Sequence, residues 1–295
     1  MMIDAKKIQR IFVSGKFDPV KQTLIPKFDL DSKMALHFLR LAGIATQNIN
    51  WISPSKNLAE IDREFKLRND ILIDVGQING PLEFGDNCVA FDHHSSTSTP
   101  EDFCSTEQVA AYFNLNESET VQKLGKLVHR LDCTPNENPI PFSEGWKYPV
   151  LLISKMNGKE IHELAEKIDL ETPKSESELK EVNLWSSASQ KKKSIESIQK
   201  ELETGKKIVS VEDEKFIIIR KFLPSASFGA FEMGFNFGSF TQPTWAISFS
   251  KNSRSIDKIY NRLNEGFIIR ETMILHNKPA SRFSYESFLQ SVEGK

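Results

Sequence analysis

The feature that most constrains this chain is a short apolar run, Cys88-Val89-Ala90-Phe91, that stops on Asp92-His93-His94 and then enters a Ser/Thr-rich stretch. An earlier run, Ile71-Leu72-Ile73, also stops on an acid, Asp74, and Val75-Gly76 follows, the glycine letting the backbone turn. A continuous apolar run bounded in this way suits a strand covered on both faces, as in a parallel sheet. In such sheets ligands bind beyond the carboxyl ends of the strands. Acids and imidazoles placed there fill a core poorly, because each needs a hydrogen-bond partner or a counter-charge. They are well suited to holding a metal ion.

Other acids fall at comparable junctions. Asp29-Leu30-Asp31-Ser32 precedes an amphipathic run from Met34 to Ala42, closed by Gly43, so both acids sit at a loop-to-helix junction, where Asp also serves as an ordinary N-terminal residue. Ser105-Thr106-Glu107-Gln108 reads as a capping box with Ser105 as the cap. A later helix carrying Val121, Leu124, Leu127 and Val128 ends on Asp132, an acid that opposes the helix dipole and so calls for a positive partner. Residues 8–13 read as a first strand, with Ser14-Gly15-Lys16 as a turn able to contact phosphate. Residues 150–153 read as a strand or the start of a buried helix, and residues 161–168 as a helix with His162 on its surface. His37 is expected to pack.

The length of 295 residues leads to an expectation of two domains. The expected fold class is α/β: a doubly wound parallel sheet domain over residues 1–172, a helical linker over residues 173–206 and a smaller C-terminal α/β domain over residues 207–295. Within the linker, Lys191-Lys192-Lys193 reads as a solvated face. The third part offers strands at residues 215–222, 244–250 and 271–276 and a helix at 255–263. The Gly/Phe-rich residues 228–240 suit either nucleobase stacking or the packing of a small sheet.

A net charge of -2 supplies no electrostatic footprint for bulk nucleic acid. Three cysteines, Cys88, Cys104 and Cys133, lack metal-type spacing and form no disulfide framework, which fits a reducing cytoplasm. No run approaches the length of a membrane span, and the first residues lack the apolar core of a signal peptide.

The ordered set of Asp29-x-Asp31, Ile73-Asp74, Asp92-His93-His94, the S-T-x-x-V-A helix from Ser105 to Ala110, and Asp132 resembles the DHH superfamily of phosphoesterases, which includes RecJ-type exonucleases, nanoRNases and family II pyrophosphatases. The resemblance covers about the first half of the chain. It implies a metal-dependent phosphoesterase acting on short oligonucleotides or nucleotide phosphodiesters through a metal-activated water, with one or two Mn2+ or Mg2+ ions. Asp29 would bind the first ion and Asp31 the second, with Asp74 bridging. His93 and Asp132 would complete the second site, Asp92 would support it, and His94 would reach a phosphate oxygen. The family's first motif runs H-x-D-x-D, and here Lys27 holds the histidine position. A lysine ammonium has no lone pair for a metal. Lys27 therefore contacts substrate phosphate, or only the second ion is firmly held, or the chain is a degenerate relative that binds nucleotide or a partner without catalysis. A pyrophosphatase or polyphosphatase on the same scaffold is a further alternative. In the C-terminal part, His276, Lys278 and Arg282 stand as the nearest analogue of a substrate-phosphate grip, and His276 reads equally well as an ordinary exposed histidine. The partner expected is a short nucleic acid or nucleotide, with no membrane; a homodimer is left open.

Overall fold

The computed structural model describes residues 3–18, 23–26, 29–99, 102–134, 140–203, 208–211, 213–219, 235–241, 244–248, 256–263, 267–270, 273–276 and 289–292. It divides into two compact units: residues 1–139 with 148–174, and residues 140–147 with 175–295. The chain is mixed α/β.

In the first unit the strands are β1 (Arg10–Asp18), β2 (Thr23–Pro26), β3 (Ile49–Ile52), β4 (Asp70–Ile73), β5 (Leu82–Phe84) and β6 (Cys88–Phe91). Strands β3, β1, β4 and β6 lie side by side and parallel, β5 joins antiparallel beside β6, and β2 pairs antiparallel with the second half of β1. All residues of β4 and β6 are buried, as their unbroken apolar runs require. Phe12, Ile52, Leu72 and Ala90 face Ile61 of α2 (Leu58–Phe65) in one cluster. On the opposite side of the sheet, α1 (Leu30–Leu41) touches β4 and α3 (Ser105–Tyr112) touches β6. The ring of Phe91 meets Tyr112 at 5.4 Å. Burying each such side chain contributes about 1.5 to 3 kcal/mol. Helices thus cover both faces, the doubly wound arrangement.

Strand order reverses at β1: β3 adds on one side and β4 on the other. A crevice outside the carboxyl ends of strands is expected at such a point. The N-terminus of α1, the ends of β4 and β6 and the end of α4 (Glu119–Asp132) bring their polar residues to that end of the sheet. Helix α1 contacts α3, α4 and α5 (Gly158–Ala165) besides β4, so it is buried almost all round.

The second unit holds α6 (Glu176–Glu181), α7 (Trp185–Glu203), α8 (Ile256–Arg262) and a sheet in the order β11-β12-β10-β9-β8-β7. These strands are β7 (Ile208–Val211), β8 (Glu214–Ile219), β9 (Asn236–Thr241), β10 (Thr244–Ser248), β11 (Phe267–Arg270) and β12 (Met273–His276). Only the β8/β9 pair is parallel among the described residues. Ile259 of α8 packs with Phe216, Ile218, Ile247 and Ile274. In β9, a Cβ at Gly238 would stand 3.1 Å from Ile218 Cγ1, so the glycine permits close packing of that pair. The rest of the Gly/Phe-rich stretch, residues 228–234, lies outside the described residues.

Several local expectations are corrected. Ser14, Gly15 and Lys16 are not a turn but part of β1, because the antiparallel pairing with β2 carries the strand onward. Residues 149–151 and 153–155 form short 3-10 turns rather than a strand or α-helix. The cap of α3 is Cys104, with Ser105 as the first helical residue. His162 is only 14% exposed at its side chain and its ring meets that of His37 at 5.1 Å, so it is an interhelical residue. The charged stretch before residue 203 breaks into two helices, α6 and α7. Among the described residues, no helix is long and apolar enough to cross a membrane.

Candidate metal centre

Asp29 caps α1 by accepting the Ser32 N–H at 3.0 Å. Two residues on, Asp31 is buried and accepts the backbone N–H groups of Ser105 at 3.0 Å and Thr106 at 2.7 Å. Those are unsatisfied donors of the first turn of α3, where the helix dipole favours a carboxylate. Thr106 Oγ1 donates back to the Asp31 carbonyl at 2.9 Å. Asp31 is thereby fixed in place, and half of its lone-pair capacity remains.

Asp74 follows the last residue of β4 with a φ of 57°, a left-handed conformation that Asp tolerates, and Gly76 follows at a φ of 117°. Its N–H donates to Phe91 of β6 at 2.9 Å, and Ser32 Oγ donates to Oδ2 at 3.2 Å. Asp92 follows β6 and is fully buried. Its carboxylate accepts the N–H groups of His93 at 2.9 Å, His94 at 3.3 Å and Ile78 at 3.2 Å, and contacts His94 Nδ1 at 2.8 Å. Gln108 Nε2 and the Gly80 N–H donate to its carbonyl. Asp92 is thus occupied in holding the two histidines and the loop before them.

The two rings differ in surroundings. His94 is half exposed, with Nδ1 placed 2.8 Å from Asp92 and 3.3 Å from Asp74. His93 is largely buried, and its Nε2 lies 2.9 Å from Asp132 Oδ2, 3.8 Å from Asp31 Oδ2 and 3.9 Å from Asp74 Oδ1. None of these meets the ring N–H along a hydrogen-bond direction, so Nε2 is a buried nitrogen facing carboxylates without an aligned partner. Asp132, for which the helix dipole calls for a positive partner, has His93 beside it.

The electrostatics follow from this crowding. Burial pushes the Asp31 carboxyl up from the usual range, and the charge of Asp132 adds to the effect against the donors from Thr106. Burial raises Asp74 well above that range, reinforced by Asp31 and Asp29. For His93 burial works against the charged ring, yet the contacts with Asp132 and Cys133 and the charge of Asp31 outweigh it and raise it to about 11. Contact with Asp92 raises His94 despite burial. The pocket is therefore short of positive charge and retains protons where it can.

The donor set fits a divalent cation of the hard or borderline kind: carboxylate oxygens with an imidazole nitrogen that has no better partner. Asp74, His93 and His94 present ligand atoms within 4.8 Å of one another, and so do His93, Asp132 and Cys133. Cys104, Glu107 and His129 also cluster, but their geometry is that of a cap: Glu107 contacts His129 Nδ1 at 2.7 Å and accepts the Cys104 N–H at 3.3 Å.

Of the site residues expected from sequence, Asp31, Asp74, Asp92, His93, His94 and Asp132 come together in the first unit, with Asp29 close enough for its charge to act on Asp74. Lys27, Lys278 and Arg282 lie outside the described residues. His276 ends β12. Sequence reasoning missed Ser32 as a donor to Asp74, Gln108 as a brace for Asp92, and Cys133. Only Cys133 had a visible signal, its place next to Asp132.

No protein-family model matches the chain, and no curated protein matches it. Among solved structures, exonuclease RecJ bound to manganese aligns with 98% of this chain and 90% of its own at 10% identity and a TM-score of 0.49. RecJ from Thermus thermophilus in complex with Mn2+ aligns with 98% of this chain and 52% of its own at 10% identity and a TM-score of 0.42. The same protein in complex with Mg2+ gives 98%, 50%, 9% identity and a TM-score of 0.44. The chain spans about half the length of these two Thermus structures.

Proposed function

We propose that the chain is a divalent-metal-dependent phosphoesterase of the DHH type, acting on short oligonucleotides or nucleotide phosphodiesters in a reducing cytoplasm. The observation that carries this reading is His93 Nε2, buried and facing three carboxylates, Asp132 at 2.9 Å, Asp31 at 3.8 Å and Asp74 at 3.9 Å. Carboxylates crowded together beside a buried ring cost free energy that a cation joining them would offset. A divalent ion bound there supplies an activated water and charge stabilisation at phosphorus.

Asp31, Asp74, His93 and Asp132 are the proposed ligands of one ion, and Asp29 with Asp74 those of another. Asp92 orients His93 and His94 through their backbone N–H groups. With Nδ1 engaged by Asp92, His94 has Nε2 as its remaining polar atom for a phosphate oxygen. Lys27, two positions before Asp29 in the sequence, and separately His276, Lys278 and Arg282, are proposed to contact phosphate groups.

The test is a Mn2+ and Mg2+ titration of metal-stripped protein with short oligonucleotides, cyclic dinucleotides, pyrophosphate and polyphosphate as substrates. Metal-dependent cleavage of short oligonucleotides is expected. Asp74→Ala and His93→Ala should each lose more than the roughly 100-fold that losing an outer partner of a ligand can cost. Full activity in both variants would overturn the reading. Cleavage of pyrophosphate alone would move the substrate class, and metal binding without turnover of any substrate would favour the non-catalytic relative.

A further inference from the structure

Cys133 directly follows Asp132 at the C-terminal cap of α4. Its Sγ lies 3.7 Å from His93 Nδ1 and 3.8 Å from the carbonyl oxygen of Asp102. Both distances are within the reach of a sulfur hydrogen bond, and the sulfur is flanked by the two groups.

The direction of each bond follows from chemistry. A carbonyl oxygen can only accept, so the thiol proton points to Asp102. The sulfur then meets His93 with its lone pairs, and Nδ1 must be the donor. The opposite nitrogen, Nε2, faces Asp31, Asp74 and Asp132. We propose that Cys133 is a positioning residue that holds His93 with its proton on Nδ1, so that the Nε2 lone pair is directed at a divalent cation among the three carboxylates. This inference rests on the metal-dependent function proposed above.

Ligating histidines commonly donate their other ring N–H to a carboxylate or carbonyl, which fixes the tautomer and the ring's orientation. Here a neutral thiol has that role. In a pocket that already contains Asp29, Asp31, Asp74, Asp92 and Asp132, another carboxylate behind His93 would add to the crowding of acids. The thiol orients the ring without adding to it. Direct ligation by the sulfur fits less well, because Sγ contacts Nδ1 whereas Asp31, Asp74 and Asp132 are met by Nε2, and one imidazole cannot give both nitrogens to the same ion.

The test compares the full-length wild type with Cys133→Ala and Cys133→Ser, reading Mn2+ affinity by electron paramagnetic resonance and the melting temperature of each metal-free protein. Cys133→Ala should weaken Mn2+ binding roughly 10- to 100-fold, the effect typical of losing an outer partner. Its metal-free melting temperature should remain near that of the wild type. Cys133→Ser, whose hydroxyl can accept and donate in the same way, should recover most of the affinity. Co2+-loaded wild type should lack a thiolate-to-metal charge-transfer band. Wild-type affinity in Cys133→Ala, no recovery in Cys133→Ser, or a charge-transfer band would each overturn the inference. The first two leave the proposed function standing if the wild type binds Mn2+; absence of Mn2+ binding by the wild type would defeat the function itself.

Discussion

Strand β4 begins on a buried acid and is followed at once by another, and the two are treated differently. At its start, Asp70 is fully buried and meets Arg10 of the neighbouring strand through two contacts, at 2.9 and 2.6 Å, while the Arg68 N–H donates to it at 2.7 Å. Just past its other end, Asp74 is almost as buried, but faces imidazoles, a serine hydroxyl and other acids. The guanidinium is permanently charged and planar, so the first end has its cation built in. At the second end the imidazoles are the only cationic side chains among the contacts described, and raised proton affinities at Asp31, Asp74 and His93 take the place of a fixed charge. One end is finished as structure; the other is arranged to receive a cation.

The contrast can be broken by the same substitution at both ends. Asp70→Asn should destabilise the protein by about 3 kcal/mol, the low end for a broken buried pair because Arg10 still reaches solvent. The loss, read by chemical denaturation, should be the same with and without Mn2+. Asp74→Asn should have the opposite sign in the metal-free protein. A carboxyl whose folded pKa is raised loses stability as pH rises from the usual carboxylate range through the folded value. Removing that charge should therefore stabilise by about 1 kcal/mol at neutral pH, while abolishing the stabilisation that Mn2+ gives the wild type. Equal destabilisation at both ends would remove the distinction.

A third acid-sensitive feature sharpens the comparison by lying outside both ends. His37 is buried against α5, and burial, followed by the nearby His162, lowers it from the usual imidazole value near 6.5 to about 4. Arg40 on its own helix and Lys159 on α5 act in the same direction, and Glu163 against them. The folded pKa is depressed, so the unfolded chain binds the extra proton, and stability should fall as pH drops from about 6.5 towards 4. His37→Leu should flatten that limb of a melting-temperature profile and leave neutral pH nearly unchanged. Metal should have no influence on this limb.

Much of the site-bearing end was legible in the chain because its signals are local. Unbroken apolar runs at Ile71–Ile73 and Cys88–Phe91 demanded burial on both faces, and an acid ending each run fell at the carboxyl end of a strand by continuity alone. Elements defined by partners were not legible. In β3, Asn50 interrupts the apolar run, and the strand exists because it pairs with β1. The second half of β1 exists because β2 folds back on it. His162 looked like a surface residue because a helical pattern does not show which neighbour arrives, here α1. The partners of Asp31 come from residues 105 and 106, a separation that no local pattern encodes.

The most direct measurement is a calorimetric Mn2+ titration of the metal-free protein and of His93→Ala in buffers with different ionisation enthalpies. A cation entering the pocket must displace protons held by His93 and the raised carboxyls. The wild type should bind saturably and release protons, and His93→Ala should lose most of both. No saturable binding by the wild type, or equal binding by His93→Ala with no difference in proton release, would contradict a metal centre at the ends of β4 and β6.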